Sequence, residues 1–333
     1  MNRFRFGFVA LALAAAAFAA DPPPPWAYGF AAPPSPSDAQ PAGRGGGRGA
    51  GGGAAPDASL KSLPGSSLQF TLAQIRNGFG PADWFPGDHP EMPPVVAHGR
   101  QPDVRACSLC HYPNGKGRAE NAGVNGLSVE YFIHTMGDFR SGNRKSADAR
   151  KANTNVMIAI AKGMTDEEIK ASAEYFGSMP WTPWVKVVET QTVPKTRIAA
   201  GLFLALDGPE KEAIGDRIIE VPVDAEATET LRNPRSGFIA YVPPGSIKKG
   251  EALVMNGAGK TIQCGLCHGV DLKGLGPVPP LAGRSPSYLA RQLYDMQTGV
   301  RKGSWTELMK PVVEKLSNAD MLDIAAYTAS RNP

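Results

Sequence analysis

A five-residue motif occurs twice in this 333-residue chain, and the spacing around it repeats as well. Cys107-Ser108-Leu109-Cys110-His111 returns as Cys264-Gly265-Leu266-Cys267-His268, 157 positions later. At the same offset Gly126 meets Gly283, Tyr131 meets Tyr288, Gly142 meets Gly299, and Arg144-Lys145 meets Arg301-Lys302. The first copy then has five extra residues, after which Met157 meets Met309, Met164 meets Leu316 and Tyr175 meets Tyr327 at an offset of 152. Internal intervals preserved over such a period mean that one domain occurs twice. The chain is thereby constrained to two related lobes, with the remaining sequence as extension and connection.

The motif has its own chemistry. Two Cys three apart project from one helical turn and reach the two vinyl groups of one porphyrin, and the His that follows offers its imidazole to the iron from the same side. This is the spacing of c-type haem attachment. A zinc site made from both pairs would use four Cys, but it has no need of a His after each pair. A thioredoxin-like pair would occur once, beside a βαβ pattern that is absent here. Two covalently attached haem groups are expected, held by Cys107 and Cys110 with His111, and by Cys264 and Cys267 with His268. That uses all four Cys of the chain.

The second axial ligand decides what such an iron does. Met or His closes the site and favours electron transfer, whereas an open position admits small molecules. His89, His98 and His134 have no counterparts in the second copy. Met157 and Met309 are matched, and each precedes a helix-like stretch, 164–176 and 316–328. They are the expected ligands, against the commoner role of Met as core filler. Met164 meets a Leu, which cannot ligate, and is assigned to packing with Met136 and Met296. The expected metal ligands are therefore His111, Met157, His268 and Met309.

Arg144 and Arg301 either pair with haem propionates through charge-assisted hydrogen bonds or are solvated cations at helix ends. Tyr131 and Tyr288 either touch the haem edge or a propionate, or belong to the core. The Asp83, His89 and Met92 group reads as a surface loop, with a haem face or a second metal as alternatives. No catalytic residue is assigned.

On these residues both copies resemble class I cytochrome c domains: attachment motif, Gly-rich loop, Tyr-bearing helix, ligand Met, and a last helix ending near a Tyr. The second copy carries Leu281-Ala282-Gly283-Arg284 and Tyr288-Leu289-Ala290-Arg291-Gln292-Leu293, and is similar to the soluble di-haem cytochromes of the c-four type. The resemblance covers residues 95–180 and 245–333 and implies two all-α lobes and one-electron transfer between respiratory or periplasmic partners. In that family a Pro in the loop after the motif supports the proximal His. Pro280 stands there in the second copy and Gly123 in the first, which leaves the support of His111 open. Some 60 residues separate the lobes instead of a short link, so the family's haem–haem arrangement does not carry over.

Residues 1–19 read as an export signal, with Arg3 and Arg5, a short Ala-rich run and Ala17-Phe18-Ala19 as a cleavage pattern. The run is too short for a bilayer span, so a periplasmic protein without a transmembrane span in its mature form is expected. Residues 20–65 hold Pro22–Pro25 and two runs of three glycines, and are expected to be a flexible linker that cannot offset its ordering entropy. The domains then follow as 66–181, a first cytochrome c domain with an N-terminal extension, 182–244, a connecting segment, and 245–333, the second domain. Within the connection 185–193, 217–223 and 237–242 read as short strands. The expected fold class is mainly α: two cytochrome c-like all-α domains, a partly extended connection and a disordered N-terminal linker.

Charge narrows the partners. The formal charge is +4, but loss of Arg3 and Arg5 leaves 33 of the 35 basic residues against 31 acidic ones. Up to four propionates then bring the protein to neutral or slightly acidic, which gives no electrostatic footprint for nucleic acid. The expected function is carriage of single electrons between a redox protein donor and acceptor, such as a quinol-linked complex, a dehydrogenase or a terminal oxidase, with no chemical substrate. A cytochrome subunit of an exported dehydrogenase is the second reading. A di-haem peroxidase is the third, and it needs an axial position that opens beside an acid–base group.

Overall fold

The computed structural model describes residues 21–31 and 57–333. The expected signal, 1–19, and residues 32–56 of the expected linker lie outside the described residues.

The repeat is legible in the helix caps. Ser128 and Ser285, 157 apart, each accept the backbone N–H of the third residue on, Tyr131 and Tyr288, and so open the helices Val129–Ser141 and Pro286–Gln297. Thr165 and Ser317, 152 apart, each close a capping box with Glu168 and Asp320, opening Asp166–Gly177 and Asn318–Ala329. A cap of this kind is worth about 1 kcal/mol, and here it fixes the start of the same two helices in each lobe. The first lobe packs these helices around Phe132, Met136, Phe139, Ile160, Ile169 and Phe176.

The lobes differ at their N-terminal ends. In the second, Ser246–Asn256 is a helix that crosses Asn318–Ala329, and a Cβ at Gly250 would collide with the Asp323 carbonyl. The matching positions of the first lobe contain Pro90, Pro93 and Pro94, which remove backbone donors. Only a single turn, Pro94–Ala97, forms there.

Part of the expected linker is built into the core. Residues Pro25–Tyr28 form a helical turn in which Trp26, Ala27 and Tyr28 are buried within the second lobe's cluster. Tyr28 donates to Asp295 at 2.7 Å, Arg291 donates to the Ala27 carbonyl, and Asn318 donates to the Pro22 carbonyl at 3.0 Å. The expectation of flexibility for 20–65 is corrected at residues 21–31. Ordering costs about 1–2 kcal/mol per residue, which prolines and glycines do not recover. Two aromatic rings bury roughly 150–250 Å² each, worth roughly 4–6 kcal/mol per ring. Residues 57–65 are also ordered: Lys61–Ser62 pairs antiparallel with Gln69–Phe70, and Leu63 is buried beside Trp84.

The connection contains the expected strands. Val185–Glu189 runs parallel to Phe238–Val242, which pairs antiparallel with Ile219–Pro222. Thr196–Ala199 and Leu202–Ala205 form a hairpin, and Thr192–Pro194 pairs with Lys211–Ala213. This segment is more than a link. Ile219, Val221, Ala240 and Val242 enter the second lobe's core, while Leu202, Leu204, Trp184 and Phe238 pack on Tyr112 and Ala119 of the first. Among the described residues no helix is long and apolar enough to cross a membrane.

Candidate haem sites and the interface between them

Each attachment motif forms a short helix, Cys107–His111 and Gly265–His268. His111 is held through Nδ1 by the Ala122 carbonyl at 2.8 Å, and His268 by the Pro279 carbonyl at 2.7 Å. Residues 122 and 279 are again 157 apart, so the support is the same in both lobes. The family resemblance points to Pro280 for this support and leaves that of His111 open. The accepting group is a backbone carbonyl one residue earlier, which Ala122 supplies as well as a proline does. Burial holds both imidazoles below the ordinary histidine range, and the carbonyl bonds counter it only in part. With Nδ1 so engaged, Nε2 is the nitrogen left to ligate a metal.

The four Cys are unpaired. Burial pushes the Cys107 and Cys264 thiols up to about 11. Cys107 and Met157 pack against the same cluster in the first lobe, and Cys264 and Met309 against the same cluster in the second. Met157 lies within a helix of its own, Ala152–Gly163, and Met309 ends the tight turn Thr306–Met309. The start of the helix around Met157 has no side-chain cap. Free thiols at three-residue spacing, a neutral imidazole held by Nδ1 and a Met on the same cluster are a donor set that fits a covalently attached haem. So does the Nε of Arg301, a buried donor without an acceptor, since a haem brings carboxylates.

The repeated Arg and Tyr residues meet across the interface between lobes. Arg144 donates through Nη2 to the Tyr288 hydroxyl at 2.8 Å, and Arg301 donates through Nη2 to the Tyr131 hydroxyl at 3.0 Å. The backbone repeats the exchange: Lys145 N–H donates to Val300 at 3.0 Å and Lys302 N–H to Asn143 at 2.7 Å. Each bond maps onto the other when the lobes are interchanged, as at a two-fold interface. Gln292 breaks the symmetry by accepting from both guanidiniums, at 2.9 and 2.8 Å. Burial raises the Tyr131 phenol, but Arg301 and Arg144 outweigh it and bring the group down to about 8. The reading of these Arg residues as solvated helix-end cations is thus corrected: Arg144 is buried, and each donates to a tyrosine of the opposite lobe.

Arg284, in the second copy's Leu281-Ala282-Gly283-Arg284, has a role that its sequence context does not assign. Its guanidinium donates to the Gly123 and Asn125 carbonyls of the first lobe, at 3.2 and 2.9 Å, and lies 4.0 Å from the Trp181 ring centroid. The signal was available, because its counterpart in the repeat is the apolar Leu127. Further out, His89 pairs with Asp83 at 3.0 Å and Met92 packs on the first lobe's cluster. Among the described residues no group of His, Cys, Asp and Glu has the arrangement of a further metal site.

No family model matches the chain. It is 27% identical over 238 residues to the thiosulfate dehydrogenase electron acceptor of Stutzerimonas stutzeri, a match covering 70% of this chain and 82% of that protein. Over 76 residues, 22% of the chain, it is 42% identical to cytochrome c-554(548) of Halomonas halodenitrificans and covers 92% of it. Over 82 residues, again 22% of the chain, it is 40% identical to cytochrome c4 of Stutzerimonas stutzeri and covers 39% of that protein. The paired attachment motifs, their matched supports and these relatives together make the chain a member of the c-type cytochromes, a di-haem protein of the cytochrome c4 kind that carries electrons.

Proposed function

We propose that this chain accepts electrons singly from an exported dehydrogenase and passes them between two haems. In this reading Cys107, Cys110, His111 and Met157 hold one, and Cys264, Cys267, His268 and Met309 hold the other. When bound, a His/Met-ligated haem supplies a one-electron couple. The chain's residues do the rest. The Ala122 and Pro279 carbonyls orient the proximal imidazoles, and Met157 and Met309, each half-buried, pack against the two cores. The crossed pairs Arg144–Tyr288 and Arg301–Tyr131 clamp the two attachment sites into one body.

That clamp is the observation that carries the reading, because it holds the two attachment sites in one body, as a relay requires. The relative aligned over 70% of this chain is named for accepting electrons from thiosulfate dehydrogenase, which supports a dehydrogenase as the donor. The chain itself acts on no chemical substrate in this reading. A peroxidase needs a ligand that leaves, and Met157 sits in mid-helix against the core, where leaving would break the helix's packing.

The test is to mix the oxidised holoprotein with the thiosulfate dehydrogenase of Stutzerimonas stutzeri and thiosulfate. Appearance of the ferrous visible band supports the reading. No reduction, in a sample that dithionite reduces fully, contradicts it.

A further inference from the structure

The two attachment motifs are matched residue for residue, yet their surroundings differ. In the first lobe Leu109 is only 8% exposed and Pro113 is buried. The chain covers this face itself. Arg232 donates to the Leu109 carbonyl, Asn114 donates to Pro234 at 2.7 Å, and Leu202, Leu204, Trp184 and Phe238 pack on Tyr112 and Ala119. The extension braces the cover, since Trp84 donates to the Leu231 carbonyl at 2.7 Å and Asp88 pairs with Arg235 at 2.6 Å.

In the second lobe Leu266 and Val270, the counterparts of Leu109 and Pro113, are bare. Leu266 is 65% exposed, Val270 88% and Leu275 62%, and Leu308, next to Met309, is 75% exposed. Cys267 is exposed where Cys110 is half-buried. Large apolar side chains left exposed on the attachment motif, in the loop after it and beside Met309 mark an interaction site rather than chance. The charges beside them, Asp271, Lys273 and the Glu307–Lys310 pair at 4.0 Å, alternate in sign and give no net field. A partner for this face must therefore be recognised by apolar contact, as the strands of the connection recognise the same face of the first lobe.

We propose that this bare face of the second lobe is where the electron-donating dehydrogenase docks, through an apolar patch of its own, and that the first site receives electrons only by way of the second. The proposal rests on the dehydrogenase reading above. Each electron the donor loses reduces one ferric iron to ferrous, and two successive transfers fill both sites.

The test uses the holoprotein and its Val270→Lys/Leu275→Lys variant, two surface changes outside the attachment residues. The probes are the Stutzerimonas stutzeri thiosulfate dehydrogenase with thiosulfate, and hexaammineruthenium(II) as a small donor. The variant is expected to be reduced by the enzyme at least tenfold more slowly and to bind the oxidised enzyme correspondingly more weakly. The wild-type rate changes little with salt, as a rim without net charge requires, and ruthenium reduction of the two proteins agrees within twofold. Equal enzyme rates and equal binding for the two proteins overturn the proposal. If the enzyme reduces neither protein, the dehydrogenase reading fails separately, and electron self-exchange seen by NMR decides the face. Broadening confined to the second haem's resonances and relieved in the variant upholds it as the port for a protein partner; equal broadening of both sets overturns it. A wild-type dimer in sedimentation that the variant abolishes also overturns it, by assigning the face to a second copy.

Discussion

Arg284 of the second lobe donates to the Asn125 carbonyl of the first at 2.9 Å. The same guanidinium holds Gly123, directly after the residue whose carbonyl supports His111. One lobe therefore braces the proximal-ligand loop of the other. Arg284→Lys keeps the charge but loses the fork that reaches two carbonyls. A looser Ala122 carbonyl makes His111 a weaker base, which favours the ferrous iron. The first haem's potential is expected to rise by on the order of tens of millivolts while the second stays in place. A redox titration resolving the two haems checks this, and an equal shift of both would argue against the brace.

Trp26→Ala removes the largest side chain by which residues 21–31 dock on the second lobe. Truncation of a buried aromatic costs roughly 3–5 kcal/mol, so the variant should unfold at clearly lower denaturant and be cut readily near Tyr28 by chymotrypsin. A change below about 1 kcal/mol would mean that the segment contributes little to the fold.

Lys151 is buried, its Nζ has no hydrogen-bond partner, and burial together with Arg291 lowers it to about 7. The sign follows from linkage. Between about 7 and its ordinary value near 10.5 the unfolded chain holds a proton that the folded chain does not, so the group's contribution to stability improves as pH rises across that window. Lys151→Met should stabilise the protein most at pH 6, and its advantage should shrink by a few kcal/mol, on the order of 1.4 per pH unit, towards pH 10. Denaturation curves of both proteins at pH 6, 8 and 10 measure the difference directly; a gap that does not change with pH would show that Lys151 stays charged.

Much of this was legible in the sequence because the repeat acts as an internal alignment. The attachment residues, the matched Met pair and the strands of the connection all follow from spacing and residue type. What escaped depends on tertiary neighbours. Trp26 and Tyr28 stand among prolines, and their local context resembles a linker until Asp295 and Arg291 supply partners. The carbonyls of Ala122 and Pro279 have no side-chain signature at all. Arg144 and Arg301 repeat in sequence, but repetition does not reveal that each belongs to the other lobe's tyrosine. The cover over the first motif is likewise invisible, since the same segment, 182–244, lies between both lobes and only packing shows which face it takes.

The central claim is two covalent haems in one chain, one on each motif. Proteolysis of the purified holoprotein followed by mass spectrometry tests it most directly. The peptides containing Cys107–His111 and Cys264–His268 should each carry one haem through two thioether bonds, at two haems per polypeptide. A single haem per chain, or either peptide recovered with free thiols, would contradict the account.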